Sequence, residues 1–316
     1  MESTRSAPRD ERPPGKRLRH AADYALLRSI QAGAARLPWH SLRPWGRRLG
    51  RAAWHVAPVR RDVVLANLRA AFGAEQTPAE IEGLARRFYV ELGTTLLEFC
   101  AFSKLGPEGV RRITVIENEH YLEEVRREGR GALLVSGHYG NWELQAAAVA
   151  ARGYPVQALA KTQSNPRVDR LQNDLRRRVG VGIIRVGPSL KEMIRALRRG
   201  DLVGLLGDQD AGPLGHFVEF LGRPASVYRG PAAYAYRLGC PLLTGFPRRL
   251  PDGTHVLRFN APHRADPAWD EATAIARLTE AHTRELEEAV RAAPEHYWWV
   301  HRRWKTQPPA AGAAAG

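Results

Sequence analysis

The chain has 316 residues, 44% of them hydrophobic, which is enough to bury a large core and argues against a disordered tail or a disulfide-stapled miniprotein. Lys and Arg number 48 against 33 Asp and Glu, and the net charge of +15 favours anionic partners: nucleic acid, acidic lipid or an acidic carrier protein. The two cysteines, Cys100 and Cys240, each stand in an apolar stretch and read as small buried hydrophobes in a reducing compartment. No run reaches the roughly 18 apolar residues of a spanning helix, and the first residues lack the apolar centre of a signal peptide, so the protein is expected on the cytoplasmic side.

Residues 1–20 are charged and contain proline, and residues 307–316 are low in complexity; both read as disordered tails. From Tyr24, the apolar residues Leu27, Ile30, Ala34 and Leu37 recur at helical spacing. Trp45, Leu49, Ala52 and Val56 do so again, with Arg43, Arg47, Arg48 and Arg51 interleaved. This second segment reads as a basic amphipathic helix. It either packs on its own domain or lies in a membrane interface, where each Arg contributes ~1 kcal/mol against anionic lipid. A further helix starts at "TPAE": Thr77 caps, Pro78 takes the first helical position and Glu80 completes a capping box, with Ile81, Leu84, Phe88, Leu92, Leu96 and Phe99 as its buried stripe. Residues 21–110 are expected to form a helical region, placed at a membrane interface if the second of these readings holds.

From Gly131 short apolar runs alternate with helical segments. "ALLVS", "PVQALA", "VGIIRV", "LVGLL" and "PLLTGF" are strands; "WELQAAAVAA", "NPRVDRLQNDLRRR", "SLKEMIRALRR" and "GPAAYAYRL" are helices. Strands apolar throughout are covered on both faces, so the fold class is α/β: a mainly parallel central sheet flanked by helices, spanning residues 111–306 behind the N-terminal helical region. Asp252-Gly253 marks a hairpin turn, and a last helix covers about residues 271–292.

The stretch "SGHYGNWE", residues 136–143, puts His138 at the carboxyl edge of a strand, where ligands of such sheets sit. Gly137 and Gly140 flank it, Asn141 is placed to cap the next helix, and Glu143 falls in its first turn. From there Glu143 can reach one imidazole nitrogen while the other faces a substrate hydroxyl, a general-base dyad. No Ser stands in a G-x-S-x-G elbow and neither Cys has a nucleophile motif, so direct attack by an activated hydroxyl is the simpler chemistry. In "LLGDQDAGPLG", Asp208 and Asp210 form a D-x-D pair that can hold a divalent cation against a nucleotide diphosphate, as in a glycosyltransferase, or bind groups of the protein itself. Arg176, Arg177 and Arg178 close a helix where they either complement its dipole or grip a phosphate. The terminal "EHYWWVHRRWK" mixes aromatics with Arg. That composition keeps open a non-enzymatic nucleic-acid-binding protein, a membrane-interface anchor and a closing core segment, whereas its two His lack zinc-site spacing.

Taken in order, "APVRRDVVLANLRAAF", "SGHYGNWE", "SNPRVDRLQNDLRRRVG", "GDQDAG" with "VEFLGRPA", "GPAAYAYRLGCPLL" and "PEHYWWVHRRWK" resemble the lysophospholipid acyltransferase superfamily, in its lipid A biosynthesis (late) acyltransferase branch. The resemblance implies an O-acyltransferase that moves a fatty acyl chain from acyl carrier protein or coenzyme A to a hydroxyl of a glycolipid such as a lipid A precursor. It implies no metal and no cofactor beyond the acyl thioester co-substrate, no nucleic acid, and a peripheral enzyme on anionic lipid at the cytoplasmic face of the bacterial inner membrane. By that likeness His138 is the base and Glu143 its partner. Substrate contacts are expected from Asn141 within the motif, from Arg176, and from Asp208, Gln209 and Asp210.

Overall fold

The computed structural model describes residues 13–309 apart from 57, 188 and 189. Four helices lead: α1 (Pro14–Arg36), α2 (Trp39–Val56), α3 (Arg61–Phe72) and α4 (Pro78–Ala101). α1 begins inside the stretch expected to be a tail, since Pro14 suits a first helical turn and residues 16–36 are rich in Ala, Leu and Arg, all strong helix formers. Residues 1–12 and 310–316 of the expected tails lie outside the described residues. The capping box of α4 is formed: Glu80 N–H donates to Thr77 Oγ1 at 3.3 Å and Thr77 N–H donates to Glu80 Oε2 at 2.7 Å, a cap worth about 1 kcal/mol.

α2 and α4 pack through a seam of Leu42, Gly46, Gly50 and Trp54, spaced four apart and all buried. The two glycines let the helix backbones touch, because a Cβ on Gly50 would stand 2.1 Å from the Tyr89 carbonyl oxygen. The apolar stripe seen in the sequence is a different one and faces outward: Trp45 is 49% and Val56 83% exposed.

Beyond the helical region come α5 (Pro107–Arg112), β1 (Thr114–Glu117), α6 (His120–Arg127), β2 (Ala132–Ser136), α7 (Trp142–Ala151), β3 (Val156–Ala160), α8 (Pro166–Arg178), β4 (Val181–Arg185), α9 (Leu190–Arg198) and β5 (Leu202–Leu206). They are followed by β6 (His216–Phe220), β7 (Arg223–Val227), α10 (Gly230–Leu238), β8 (Leu242–Arg249), β9 (His255–Phe259) and α11 (Glu271–Ala292). Seven strands form one sheet in the order β1-β9-β8-β2-β5-β3-β4. Every neighbouring pair is parallel except β8 and β9, the hairpin that Asp252-Gly253 announces. All five residues of central β2 are buried, and each of its Leu and Val side chains contributes about 1.5–3 kcal/mol by leaving water.

The separate β6–β7 hairpin was not legible, because its turn uses Leu221 at φ 53° before Gly222 at φ 72°, where Asn or Asp is the usual signal. Leu221 is held there by burial and by donating its N–H to Glu287 Oε2 at 2.7 Å. Both cysteines are buried, which pushes the Cys100 thiol to about 12 and Cys240 to about 11.

Candidate active site

β2 and β5 run in parallel register with Ser136 opposite Leu206, so two residues beyond the last pair His138 comes to stand against Asp208. Asp208 receives the His138 backbone N–H on Oδ2 at 2.9 Å and the imidazole Nδ1 on Oδ1 at 2.7 Å. With Nδ1–H donated to the carboxylate, Nε2 carries the lone pair. Burial disfavours the imidazolium, but the charge and hydrogen bond of Asp208, aided by the charge of Glu143, outweigh it and raise His138 above its ordinary value. Burial likewise disfavours the Asp208 carboxylate, and the imidazole, the His138 N–H and nearby Arg303 outweigh it and hold the carboxyl below its usual range.

The partner expected for the imidazole was Glu143, and here the structure corrects the sequence. Glu143 does lie in the first turn of α7, but both its oxygens are taken by Arg176 of α8, at 2.8 Å from Nε and 2.5 Å from a terminal guanidinium nitrogen. A bidentate guanidinium satisfies a carboxylate better than one ring nitrogen, and Asp208 is delivered to Nδ1 by sheet register. Arg176 therefore positions Glu143, whose charge still reaches His138, and Arg177 pairs with Asp174 at the surface.

Asn141 is also placed differently from the expectation of substrate contact. Its side chain is fully buried, accepting the Leu144 N–H at 3.0 Å as the cap of α7 and donating to Glu98 Oε2 at 2.9 Å. Asp210 faces away from Asp208 and accepts from the Thr306 N–H at 3.1 Å and hydroxyl at 2.9 Å, pinning the C-terminal segment. The two carboxylates of D-x-D thus diverge to separate partners in the chain. Gln209 does enter the site: its side-chain amide donates to His138 Nε2 at 3.3 Å and to His301 Nε2 at 2.7 Å.

The terminal "EHYWWVH" closes over the loop. Trp298 N–H donates to the His138 carbonyl at 2.9 Å, and Gly140 N–H donates to the His296 carbonyl at 2.8 Å. Tyr297 and Trp299 go into the core, while Trp298 and Trp142 meet edge to face at 5.2 Å and Trp142 lies 5.1 Å from the imidazole. Trp142, Trp298 and His301 are site residues that sequence reasoning missed; only the density of aromatic and His residues in the last block hinted at the latter two. His301 is half-buried, and burial together with His138 lowers its pKa.

Behind the loop, Arg249 of β8 donates to both oxygens of Glu98 of α4 at 2.8 Å and to Thr95 Oγ1 at 2.9 Å. His255 Nε2 stands 3.2 Å from Glu98, and Arg249 also meets Glu91.

The sequence profile described as "Bacterial lipid A biosynthesis acyltransferase" matches residues 15–306. The chain is 29% identical over 278 residues to the lipid A biosynthesis lauroyltransferase of Escherichia coli (strain K12), covering 86% of this chain and 88% of that one. It is 26% identical over 307 residues to the lipid A biosynthesis myristoyltransferase of the same strain, covering 93% and 91%. Among solved structures, the crystal structure of the 1-acyl-sn-glycerophosphate acyltransferase from Thermotoga maritima superposes with a TM-score of 0.37 at 15% identity, covering 73% of this chain and 96% of that chain.

Proposed function

The chain belongs to the bacterial lipid A biosynthesis acyltransferase family, and from that premise we propose that His138, oriented by Asp208, is the general base of a direct acyl transfer from a thioester to a glycolipid hydroxyl. That the protein is an acyltransferase of lipid A biosynthesis follows from the membership. The membership also sets aside the glycosyltransferase and nucleic-acid readings. One observation carries the mechanism: Asp208 holds Nδ1 at 2.7 Å while Nε2 opens beside Gln209, between Trp142 and Trp298.

In this scheme Nε2 takes the proton of the acceptor hydroxyl as its oxygen attacks the thioester carbonyl. The tetrahedral oxyanion collapses, the carbon–sulfur bond breaks, and the imidazolium returns the proton to the leaving thiolate. A positioned base of this kind supplies roughly 10²–10⁴-fold. Asp208 fixes the tautomer and stabilises the imidazolium, and the Gln209 amide marks where a hydrogen-bonding group of substrate sits against Nε2. The scheme uses no metal or prosthetic group. The thioester comes from acyl carrier protein or coenzyme A, and the acceptor is a lipid A precursor.

Among the described residues no helix is long and apolar enough to cross a membrane. The outward strip of Trp45, Leu49 and Val56 on α2, with Arg48 stacked 4.8 Å over the Trp45 ring, supports peripheral attachment to anionic lipid at the cytoplasmic face of the inner membrane. The test is mass spectrometry of total lipids from cells making the wild type or His138→Ala. A glycolipid heavier by one acyl group in the wild type alone supports the reading, and identical profiles with a folded variant defeat it.

A further inference from the structure

A cleft of about 480 Å³, open to solvent on one side, runs between α2 and α4 and is lined by Arg43, Arg47, Arg51, Arg86 and Arg87, with Trp54 at its wall. Several arginines elsewhere meet carboxylates: Arg176 with Glu143, Arg185 with Asp169, Arg249 with Glu98, Arg264 with Glu124 and Glu128. In the cleft only Arg86 does, at 2.6 Å from Glu82. Among the described residues Arg43, Arg47, Arg51 and Arg87 have no carboxylate at salt-bridge distance. Two acidic residues also line the cleft: Glu91 is engaged by Arg249, and Glu295 stands 3.8 Å from the His296 ring, so the five arginines outnumber the carboxylates.

This concentration is built into the helix. Arg43, Arg47 and Arg51 repeat every fourth residue along one flank of the Leu42, Gly46, Gly50 and Trp54 seam, so three guanidinium groups project in a row towards Arg86 and Arg87 of α4. Bringing like charges together lowers stability unless an anion completes the arrangement, and planar guanidinium forks match phosphate oxygens in bidentate pairs.

We propose that the α2–α4 cleft is a phosphate-binding site that holds a phosphorylated sugar headgroup of the glycolipid acceptor. The proposal rests on the acyltransferase reading above and adds to it the feature of the acceptor that is recognised. Three observations favour a headgroup. The site is a recess of sugar-phosphate dimensions, whereas a docked protein needs a broad face. The exposed Trp45, Leu49 and Val56 lie on the same helix, turned away from the seam, so a lipid whose chains stay in the bilayer would present its headgroup at this level. The cleft also adjoins the catalytic loop: Glu91 stands 3.7 Å from His296, whose carbonyl accepts the Gly140 N–H two residues from His138.

Two measurements on the full chain test this. The first is calorimetric titration with inorganic pyrophosphate of the wild type, of Arg47→Ser/Arg51→Ser, and of Arg277→Ser/Arg284→Ser, which removes two exposed charges from α11. We expect affinity to fall at least about tenfold in the first variant and to hold in the second, as loss of charge-assisted hydrogen bonds dictates. Equal loss in both would reduce the site to general surface charge and overturn the proposal. The second compares acyl transfer to a phosphorylated and a dephosphorylated acceptor. The wild type should prefer the phosphorylated one, and Arg47→Ser/Arg51→Ser should raise KM for it at similar kcat and collapse the preference. A variant whose KM rises instead for an acyl carrier protein donor, or falls off equally with both acceptors, would overturn the headgroup assignment. Pyrophosphate bound by the wild type and lost in the variant, with no acyl transfer by the wild type to any acceptor, would leave the anion site standing and defeat the acyltransferase mechanism alone.

Discussion

Two acid–base clusters flank the loop of residues 137–141, and they differ in one respect that decides their roles. In the first, the Asp208 side chain is 3% exposed but that of its partner His138 is 19% exposed, so the imidazole is partly open to solvent. In the second, Glu98 and Arg249 are each 2% exposed and His255 is fully buried. Both clusters join a carboxylate to a nitrogen-bearing side chain across distant elements, and Asn141 ties them together by donating to Glu98 while capping the helix behind His138. In the open cluster the remaining ring nitrogen meets only the Gln209 amide, at 3.3 Å, which a substrate hydroxyl can displace. The closed one has its carboxylate oxygens occupied, and serves to fix α4, β8, β9 and the loop against one another.

The largest expected effect falls on the open cluster. His138→Ala should lower acyl transfer by roughly 10²–10⁴-fold with its circular dichroism unchanged. Asp208→Asn should follow it closely, whereas Glu143→Gln should retain most of the rate, since the charge of Glu143 is the smallest of the influences on the ring and Glu143 makes no hydrogen bond to it. The pH profile sharpens the distinction. A base works neutral, so the wild-type rate should rise with pH through an apparent pKa above 6.5, and Asp208→Asn should move that limb to lower pH by removing the main stabiliser of the imidazolium. If Glu143→Gln moves the limb further than Asp208→Asn does, the assignment of the partner is wrong.

For the closed cluster the readout is stability. Glu98→Ala leaves Arg249 and His255 buried beside an empty space and should cost about 3–5 kcal/mol in urea unfolding. The joint Glu98→Leu/Arg249→Met change should cost distinctly less, because no buried charge is stranded. Equal losses in the two variants would mean that the cluster holds the elements by shape and not by charge.

Much of this molecule was legible in its sequence, and the parts that were not share a cause. β2, β5 and the hairpin turn could be read because their signals are local: apolar runs between breakers, and Asp252-Gly253. His138 could be placed at a strand end for the same reason. Its partner could not, since Glu143 is close in sequence whereas Asp208 arrives 70 residues later by way of a neighbouring strand. Likewise the outer stripe of α2 was visible as hydrophobicity, but the packed seam depends on Gly46 and Gly50, which carry no apolar signal. Trp298 and His301 come to the site through main-chain bonds from the C-terminal segment to the His138 loop, and no periodicity encodes such pairing.

That seam supplies a smaller test, which asks whether the closed cluster needs α4 held in register from its other side. Gly50→Ala would push a methyl group into the Tyr89 carbonyl, and Gly46→Ala would meet the Thr94 backbone at 2.4 Å. Each should destabilise by about 1–3 kcal/mol, as overpacking does, and the urea midpoint reports it. An unchanged midpoint would show that α2 is free to separate from α4 without disturbing Glu98.

The smallest effect contrasts histidines. His282 lines a small cavity beneath Asp208 and is fully buried, and burial lowers its pKa to about 4, so it folds neutral where His138 is biased towards its charged form. The two therefore act on stability with opposite signs. As pH falls from 6.5 towards 4, the unfolded chain protonates at His282 before the folded one does, and stability declines by up to about 1.4 kcal/mol per pH unit. His138 contributes stability fully below 6.5 and loses it as pH rises through its raised folded value. His282→Gln should flatten the acid slope of the urea midpoint and leave the alkaline side alone; His138→Ala should do the reverse. Identical slopes in the two variants would mean that the site does not distinguish an imidazole held by a carboxylate from one that is merely buried, and the division of labour between the two clusters would lose its physical basis.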